Sequence, residues 1–196
     1  PAHVQDMAQS RQNARYLPGY NLPAPIAPTS SLETAVRAGT KIVVCAVPSH
    51  AVRETMEMAA AFLPPRAIVV SATKGIEEGT GLRMSEVIRA VAGCGDRAAV
   101  LSGPSFAKEV AAEMPTVVTA TAADLATADF VQHAFATPMF RVYSSTDLIG
   151  VEVGGTVKNV IAIAAGVSDG LGLGHNTRAG IITRGLAEVN RLAMKM

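Results

Sequence analysis

The chain has 196 residues, 49% of them hydrophobic, 17% charged and 4% aromatic, with 17 Lys and Arg against 16 Asp and Glu. This composition excludes a disordered chain and a nucleic-acid-binding protein that relies on phosphate neutralisation, while two cysteines, Cys45 and Cys94, exclude a disulfide scaffold. No apolar run near the ~20 residues of a membrane span and no signal peptide is apparent, so we expect a soluble, cytoplasmic α/β protein.

The first forty residues predict two helices separated by extended backbone. Residues 2–15 are polar and contain neither Gly nor Pro, which favours a surface helix. The segment 16–20 and the prolines that follow it favour extended and turning backbone. Ser30-Ser31-Leu32-Glu33 has the spacing of a capping box and predicts a helix through Arg37, ended by Gly39.

Strands and helices alternate along the next hundred residues. The continuous apolar run at 41–47 is typical of a strand buried on both faces in a parallel sheet. The later predicted elements are helix 49–62, strand 67–71, helix 82–92, strand 98–102, helix 105–112, strand 116–120, helix 122–135 and strand 140–143. Alternation with short loops predicts a mostly parallel sheet with right-handed crossovers. The predicted fold class is α/β.

No strand is predicted after Asp147. Apolar residues between 148 and 163 indicate one long, mostly buried helix, followed by a glycine-rich loop at 166–174 and a second helix at 177–196. The change in composition divides the chain into 1–146 and 147–196, the second part being all-helical.

Polar and glycine residues follow three of the predicted strands. The segments are Val47-Pro48-Ser49-His50, Ser71-Ala72-Thr73-Lys74-Gly75 and Ser102-Gly103-Pro104-Ser105. Each is also compatible with an ordinary strand-to-helix turn. Together they favour a polar or anionic ligand, because ligands bind at the carboxyl ends of parallel strands. Gly103 would let a ligand approach the backbone, Pro104 would open a helix with free N–H groups, and Lys74 either faces the crevice or is a solvated surface lysine.

A second candidate lies in the long helix, at Gly154-Gly155-Thr156-Val157-Lys158-Asn159. Two glycines inside a helix cost roughly 1 kcal/mol each relative to Ala, so another helix or a ligand is expected to approach there. Lys158 lies in an apolar stretch, which makes it a candidate for proton transfer. The alternative is a snorkelling or ion-paired lysine. The four histidines lack the spacing of metal ligands, and no metal site is predicted.

Several motifs closely resemble the bacterial-type NAD(P)-dependent glycerol-3-phosphate dehydrogenases. They occur in order from Tyr16 to the end of the chain. The segments are Tyr16-Leu-Pro-Gly19, Ala46-Val-Pro-Ser49, Ala72-Thr-Lys-Gly75, Leu101-Ser-Gly-Pro-Ser-Phe-Ala-Lys-Glu109, Phe140-Arg-Val-Tyr143, Ile149-Gly-Val-Glu-Val-Gly-Gly-Thr-Val-Lys-Asn159 and Ala179-Gly-Ile-Ile-Thr-Arg-Gly-Leu-Ala-Glu188.

The resemblance implies a partial Rossmann-like, dinucleotide-binding domain at 1–146, without its first strand-helix unit, and the start of an all-helical substrate domain at 147–196. It implies hydride transfer between NAD(P)H and dihydroxyacetone phosphate, giving sn-glycerol 3-phosphate for glycerophospholipid synthesis, and it is compatible with a homodimer.

Residue roles follow from the same resemblance. Lys158 would be the catalytic proton donor and acceptor and would contact the substrate, and Lys74 would lie near both the nicotinamide and the substrate. The remaining matches are Gly103 and Ser105 for the substrate, and Tyr16 and Ala107 for the cofactor.

Two parts of the family pattern are not found in the sequence. The Gly-x-Gly-x-x-Gly turn for the pyrophosphate is absent, together with the residue that selects NAD or NADP. The Asp and the Ser-Arg-Asn segment that follow in the family would lie beyond Met196. We therefore expect an internal fragment that is inactive alone. The alternative family is the 6-phosphogluconate or β-hydroxyacid dehydrogenases, against which Ser102-Gly103-Pro104-Ser105 and the segment 183–188 argue.

Overall fold

A five-stranded sheet with helices on both faces forms the centre of this computed structural model, which describes residues 2–37 and 41–196. The elements in chain order are α1 (Ala2–Ser10), β1 (Gln12–Asn13), β2 (Leu17–Asn21), α2 (Leu32–Arg37), β3 (Ile42–Cys45), α3 (Val52–Ala60), β4 (Ile68–Ser71), α4 (Met84–Ala92), β5 (Ala98–Ser102), α5 (Ala107–Ala111), β6 (Thr116–Ala122), α6 (Leu125–Phe135), β7 (Phe140–Ser145), α7 (Leu148–Gly170) and α8 (Gly174–Ala193). The α/β class with a helical second part is confirmed.

The sheet order is β3-β4-β5-β6-β7, and one of its pairings is antiparallel. The pairs β3–β4, β4–β5 and β6–β7 are parallel, whereas β6 runs antiparallel to β5. A parallel crossover requires a helix that carries the chain back along the sheet. Helix α5 has five residues, about 7.5 Å at 1.5 Å per residue, and is too short for that return.

The core lies on both faces of the sheet because neighbouring strand residues point to opposite sides. Val69 packs with Ile88 of α4 on one face, and Val70 packs with Val131 of α6 on the other. The prediction that the strand at 41–47 is buried on both faces is wrong for Val44, which is 46% exposed. Strand β3 is the outermost strand of the described sheet, so this face of it lacks a covering helix there.

The first helix is shorter than predicted. It ends at Ser10, and Arg11 adopts φ +54°, a left-handed conformation that stops helical propagation. The Arg11 guanidinium donates hydrogen bonds to the carbonyls of Leu22 and Ile26, at 3.2 and 2.8 Å. These bonds fold the chain back, so that residues 12–13 pair with β2 instead of extending the helix. Gly39, the predicted end of α2, lies outside the described residues.

Helices α7 and α8 form a hairpin joined by residues 171–173. The predicted glycine loop at 166–174 is mostly wrong, because α7 continues through Gly166 to Gly170. The prediction of a mostly buried helix is also wrong: Val160 is 69% and Ile163 is 68% exposed. Helix α7 packs on β5 and β6 of the sheet and along α8.

By length and composition, α7 could cross a membrane. It has 23 residues, an 18-residue window of it has a mean hydropathy of 1.5, and 17% of that window is buried. The expectation that the chain has no membrane span stays a prediction, since Glu152 and Lys158 interrupt this apolar stretch. Core helices of folded domains satisfy the same criteria, and the start of α7 carries Glu152, a carboxylate buried against α4.

Two residues, Thr146 and Asp147, connect β7 to α7. The Asp147 N–H donates to Ser145 Oγ at 3.0 Å, and Asp147 Oδ1 accepts from the Gly150 N–H at 2.8 Å, which caps α7. The predicted division into 1–146 and 147–196 falls at this connection and stays a prediction.

Candidate functional site

The segments that follow β3 and β4 are packed directly against each other. Gly75 has φ +142°, which only glycine adopts readily, and a Cβ at this position would lie 2.7 Å from the Ser49 Cβ. The Thr73 hydroxyl donates to the Val47 carbonyl at 2.7 Å. The ends of β3 and β4 therefore form one surface, and Lys74 lies on it.

The first half of α7 contacts the ends of two strands. The Gly75 N–H donates to Thr156 Oγ1 at 3.2 Å, and Ser102 Oγ occupies the space that a Cβ at Gly155 would fill. The predicted close approach to the helix glycines is thus made at Gly155 by the end of β5. At Gly154 no described atom lies within 4 Å of the corresponding position.

These contacts bring Lys74 and Lys158 together from the two parts of the chain. Lys158 is half-buried and follows Thr156 by two residues, while Lys74 is exposed and precedes Gly75. Although the Lys74 side chain reaches solvent, partial desolvation by its neighbours chiefly, and then the positive charge of Lys158, lower the pKa of Lys74 below its ordinary 10.5. Within residues 2–37 and 41–196, neither ammonium has a carboxylate partner. Two neighbouring unpaired cations are suited to an anionic ligand.

Gly103 and Ser105 follow β5 at the same edge of the sheet. A Cβ at Gly103 would lie 2.8 Å from the Val117 carbonyl oxygen, so close packing against β6 itself requires a glycine here. Ser105 is exposed, and its hydroxyl is 3.4 Å from the Gly103 carbonyl oxygen. The expectation that Pro104 opens a helix is wrong, because Phe106 caps α5 and the helix begins at Ala107.

Tyr16 and Ala107 lie on two segments that are joined by a hydrogen bond. The Tyr20 hydroxyl of β2 donates to the Lys108 carbonyl of α5 at 3.3 Å. The Tyr16 ring is 65% exposed, and Ala107 is also exposed. His3 meets the edge of the Tyr16 ring at a centroid distance of 5.6 Å. The contact roles predicted for Tyr16, Ala107, Gly103, Ser105, Lys74 and Lys158 stay predictions.

A buried ionic cluster that the sequence does not predict joins α7 to α4. Glu152 accepts from Arg83 Nη1 at 2.9 Å, from the Ser85 N–H at 2.8 Å and from the Ser85 hydroxyl at 2.6 Å. The side chains of Arg83 and Glu152 are 9% and 5% exposed. The signal available in the sequence was a single carboxylate inside an apolar helical stretch, six residues before Lys158.

A second ionic cluster holds the loop that carries Lys74. Both side-chain oxygens of Glu77 accept from Arg53 of α3, each at 2.8 Å, and the Thr80 hydroxyl donates to Glu77 at 2.6 Å. These hydrogen bonds, led by those from Arg53, lower the pKa of Glu77 from 4.5 to about 2. The carboxylate therefore stays charged well into the acidic range.

The described residues offer little else that is suited to catalysis. Across residues 2–37 and 41–196, no group of three or more His, Cys, Asp or Glu side chains could hold a metal ion. Cys45 and Cys94 are buried free thiols, and burial raises the pKa of both. Neither thiol is therefore a ready nucleophile.

Two family models match the chain. The N-terminal model of NAD-dependent glycerol-3-phosphate dehydrogenase matches residues 1–128, and the C-terminal model of the same family matches residues 147–196.

Individual proteins show the same similarity. The chain is 52% identical to a glycerol-3-phosphate dehydrogenase [NAD(P)+] of Geobacter metallireducens, over all of the chain and 59% of that protein. It is 50% identical to the enzyme of that name from Moorella thermoacetica, over all of the chain and 58% of that protein. A crystal structure of the Coxiella burnetii glycerol-3-phosphate dehydrogenase superposes with a TM-score of 0.88 at 37% identity, covering 98% of the chain and 58% of that structure. The chain thus spans about three fifths of the length of these relatives.

Proposed function

We propose a function from the premise that the two family models establish: the chain belongs to the NAD-dependent glycerol-3-phosphate dehydrogenase family. The proposed activity of the full gene product is the reversible reduction of dihydroxyacetone phosphate to sn-glycerol 3-phosphate with NAD(P)H. The alternative is a 6-phosphogluconate or β-hydroxyacid dehydrogenase, and the names of the relatives support the first activity.

The observation that carries the proposal is the meeting of Lys74 and Lys158 at the strand ends. The two lysines come from the two segments that the family models match separately. The Gly75–Thr156 hydrogen bond holds their segments together. A phosphorylated ketone presents two features to this pair: a negatively charged phosphate and a carbonyl oxygen that gains negative charge during reduction.

In the proposed mechanism, the two lysines have different tasks. Negative charge develops on the ketone oxygen as the carbon is reduced, and a positioned cation stabilises that charge in the transition state. Lys158 donates a proton to this oxygen, and in the oxidation direction it removes the proton from the hydroxyl. Lys74 binds the substrate and polarises the same oxygen.

The described residues are suited to the nicotinamide end of the cofactor. When bound, the cofactor supplies the hydride. Tyr16, Lys74 and Ala107 are the residues proposed to hold it, and all three are exposed on segments at or beside the strand ends.

The proposed cellular setting follows from the product. We propose that the sn-glycerol 3-phosphate formed serves glycerophospholipid synthesis and that the protein is cytoplasmic, for which the two buried free thiols give support. A homodimer is the proposed assembly. The support for it is the exposed apolar face of α7, which includes Val160 and Ile163.

The test is a substrate comparison with the full gene product. Oxidation of NADH and of NADPH is followed with dihydroxyacetone phosphate, and reduction of NAD+ and NADP+ is followed with sn-glycerol 3-phosphate, 6-phosphogluconate and a β-hydroxyacid. We expect turnover with the glycerol phosphate pair. Turnover of a sugar acid or β-hydroxyacid without turnover of glycerol 3-phosphate would reject the proposal. The 196-residue chain alone is proposed to be inactive, which a titration with NADH followed by fluorescence examines.

A further inference from the structure

Among the residues that the structure describes, Glu152 is the one buried carboxylate, and the proposed chemistry gives it no role. It lies on α7, and its three hydrogen-bond donors all come from the beginning of α4. The Ser85 N–H belongs to the first turn of α4, where main-chain N–H groups have no partner within the helix. Glu152 therefore completes the capping of α4 from a different helix, 67 residues further along the chain.

The contacts of Glu152 form part of a series along one side of α7. Glu152 contacts α4, Gly155 lies against Ser102 at the end of β5, and Thr156 accepts from the Gly75 N–H after β4. Three contacts with three different segments fix both the rotation of the helix and its position along its axis. A rotation by one residue would turn the helix through about 100° and carry Lys158 away from Lys74.

Stability alone does not explain an ion pair buried at this place. Replacing a buried ion pair with apolar side chains of similar size is often neutral or stabilising, whereas removing one partner is costly. The beginning of α7 already buries Leu148 and Val153 in apolar surroundings. The Glu152 carboxylate accepts a directional hydrogen bond from the Ser85 N–H, which has no partner within α4. An apolar pair could not make this bond.

We propose that Glu152, with Arg83 and Ser85, is a positioning residue that holds α7 in the register that places Lys158 beside Lys74. The inference rests on the proposed function for its effect on turnover. It predicts that disturbing this cluster lowers kcat without a matching loss of cofactor binding, and that it loosens the Gly75–Thr156 contact.

The experiment compares three variants of the full gene product with the unaltered protein. The double variant Arg83→Met, Glu152→Leu replaces the ion pair with apolar side chains, and Glu152→Gln retains an acceptor for Ser85 but removes the charge. Val131→Ala is the matched control, because it opens a cavity under α6 on the opposite face of the sheet. For each protein we would measure the urea midpoint, kcat, the KM values of both substrates, and hydrogen exchange of a peptide containing Gly75.

We expect the double variant to lose stability, because the buried Ser85 N–H and hydroxyl lose their acceptor. Its kcat should also fall by about tenfold or more, since small misplacements of a catalytic group are costly. The KM of the double variant for NADH should change less than about twofold, and its Gly75 amide should exchange faster than in the wild type. The kcat of Glu152→Gln should lie between those of the double variant and the wild type. The control should lose stability and keep its kcat.

A double variant that loses stability but keeps its kcat, as the Val131→Ala control should, would show a purely structural role and overturn the proposal. If the unaltered protein does not reduce dihydroxyacetone phosphate, the proposed function fails. The positioning role is then tested only by comparing hydrogen exchange of the Gly75 amide in the double variant and in the wild type. Unchanged exchange in the double variant would reject it.

Discussion

Helix α4, in the sheet region, buries five of its nine residues, whereas helix α8, in the hairpin, buries none of its twenty. Helix α7 shows both behaviours, with Leu148 and Val153 buried near its start and Val160 and Ile163 largely exposed further along. Apolar spacing predicted all three helices. Only the contacts with the sheet determine which apolar side chains are removed from water.

This difference separates the part of the chain that supplies stability from the part that carries Lys158. The sheet region has two apolar clusters, one on each face. The hairpin is tied to it by the first turns of α7 and by polar contacts such as the Gly75–Thr156 hydrogen bond. Changes in the sheet region should therefore alter stability most, and changes at the junction should alter catalysis most.

The largest expected effect is that of Lys158→Ala in the full gene product. Loss of a general acid typically costs about 10²- to 10⁴-fold in rate, so kcat should fall by at least two orders of magnitude while the affinity for NADH is largely kept. Steady-state kinetics and a cofactor titration measure the two quantities. Lys195→Ala, at an exposed position near the end of α8, is the control. A near-normal kcat would remove Lys158 from the mechanism.

A pair of isoleucine truncations compares the two regions directly in the 196-residue chain. Ile88→Ala deletes a fully buried side chain in α4 and should lower the free energy of unfolding by about 2–5 kcal/mol. Ile163→Ala, at a position 68% exposed, should change it by about 0.5 kcal/mol or less. Urea unfolding measures both. Equal losses would mean that the exposed face of α7 is covered in solution.

Lys74→Ala should affect substrate binding more than the proton transfer itself. Losing one cation beside an anionic substrate should raise the KM for dihydroxyacetone phosphate by about tenfold, roughly 1.4 kcal/mol. Initial-rate measurements over a range of substrate concentrations separate KM from kcat. Unchanged kcat and KM would show that Lys74 is a solvated surface lysine. A decrease in kcat with an unchanged KM would indicate a role in proton transfer like that of Lys158.

The smallest effect concerns pH and the loop that carries Lys74. Because the pKa of Glu77 falls from 4.5 unfolded to about 2 folded, its stabilising effect is present above pH 4.5 and is lost as the pH falls towards 2. The wild type should exceed Glu77→Gln in unfolding free energy at about pH 7, and the difference should shrink by about pH 3. A difference that is constant with pH would contradict the Arg53–Glu77 contact.

The local pattern of the sequence predicted most elements, and the errors share a physical cause. Strand β5 was predicted at its observed bounds, 98–102, because a short apolar run between turn residues has one plausible conformation. The end of α1 was missed because it depends on Arg11 reaching the carbonyls of residues 22–26. The continuation of α7 through Gly166 was missed because contact with α8 outweighs the low helix propensity of glycine.

The site shows the same division between local and distant information. The strand-end segments and the two lysines were predicted because unusual residue types follow the strands or interrupt a helix. The Glu152–Arg83–Ser85 cluster was not, since its members are 67 and 69 residues apart and nothing in the sequence pairs them. The antiparallel course of β6 was also missed, because the length of α5 determines it and the predicted helix was longer.

The short connection between β7 and α7 restricts how an enzyme of this kind could open. Hinges require a few residues that are free to change their φ and ψ angles, but Thr146 and Asp147 are the only residues between strand and helix, and Asp147 is held at both its N–H and its carboxylate. The first turns of α7 should therefore travel with the sheet as one rigid body. Admission of substrate and release of product must then be accommodated elsewhere, and Lys74 and Lys158 would keep their spacing throughout the catalytic cycle.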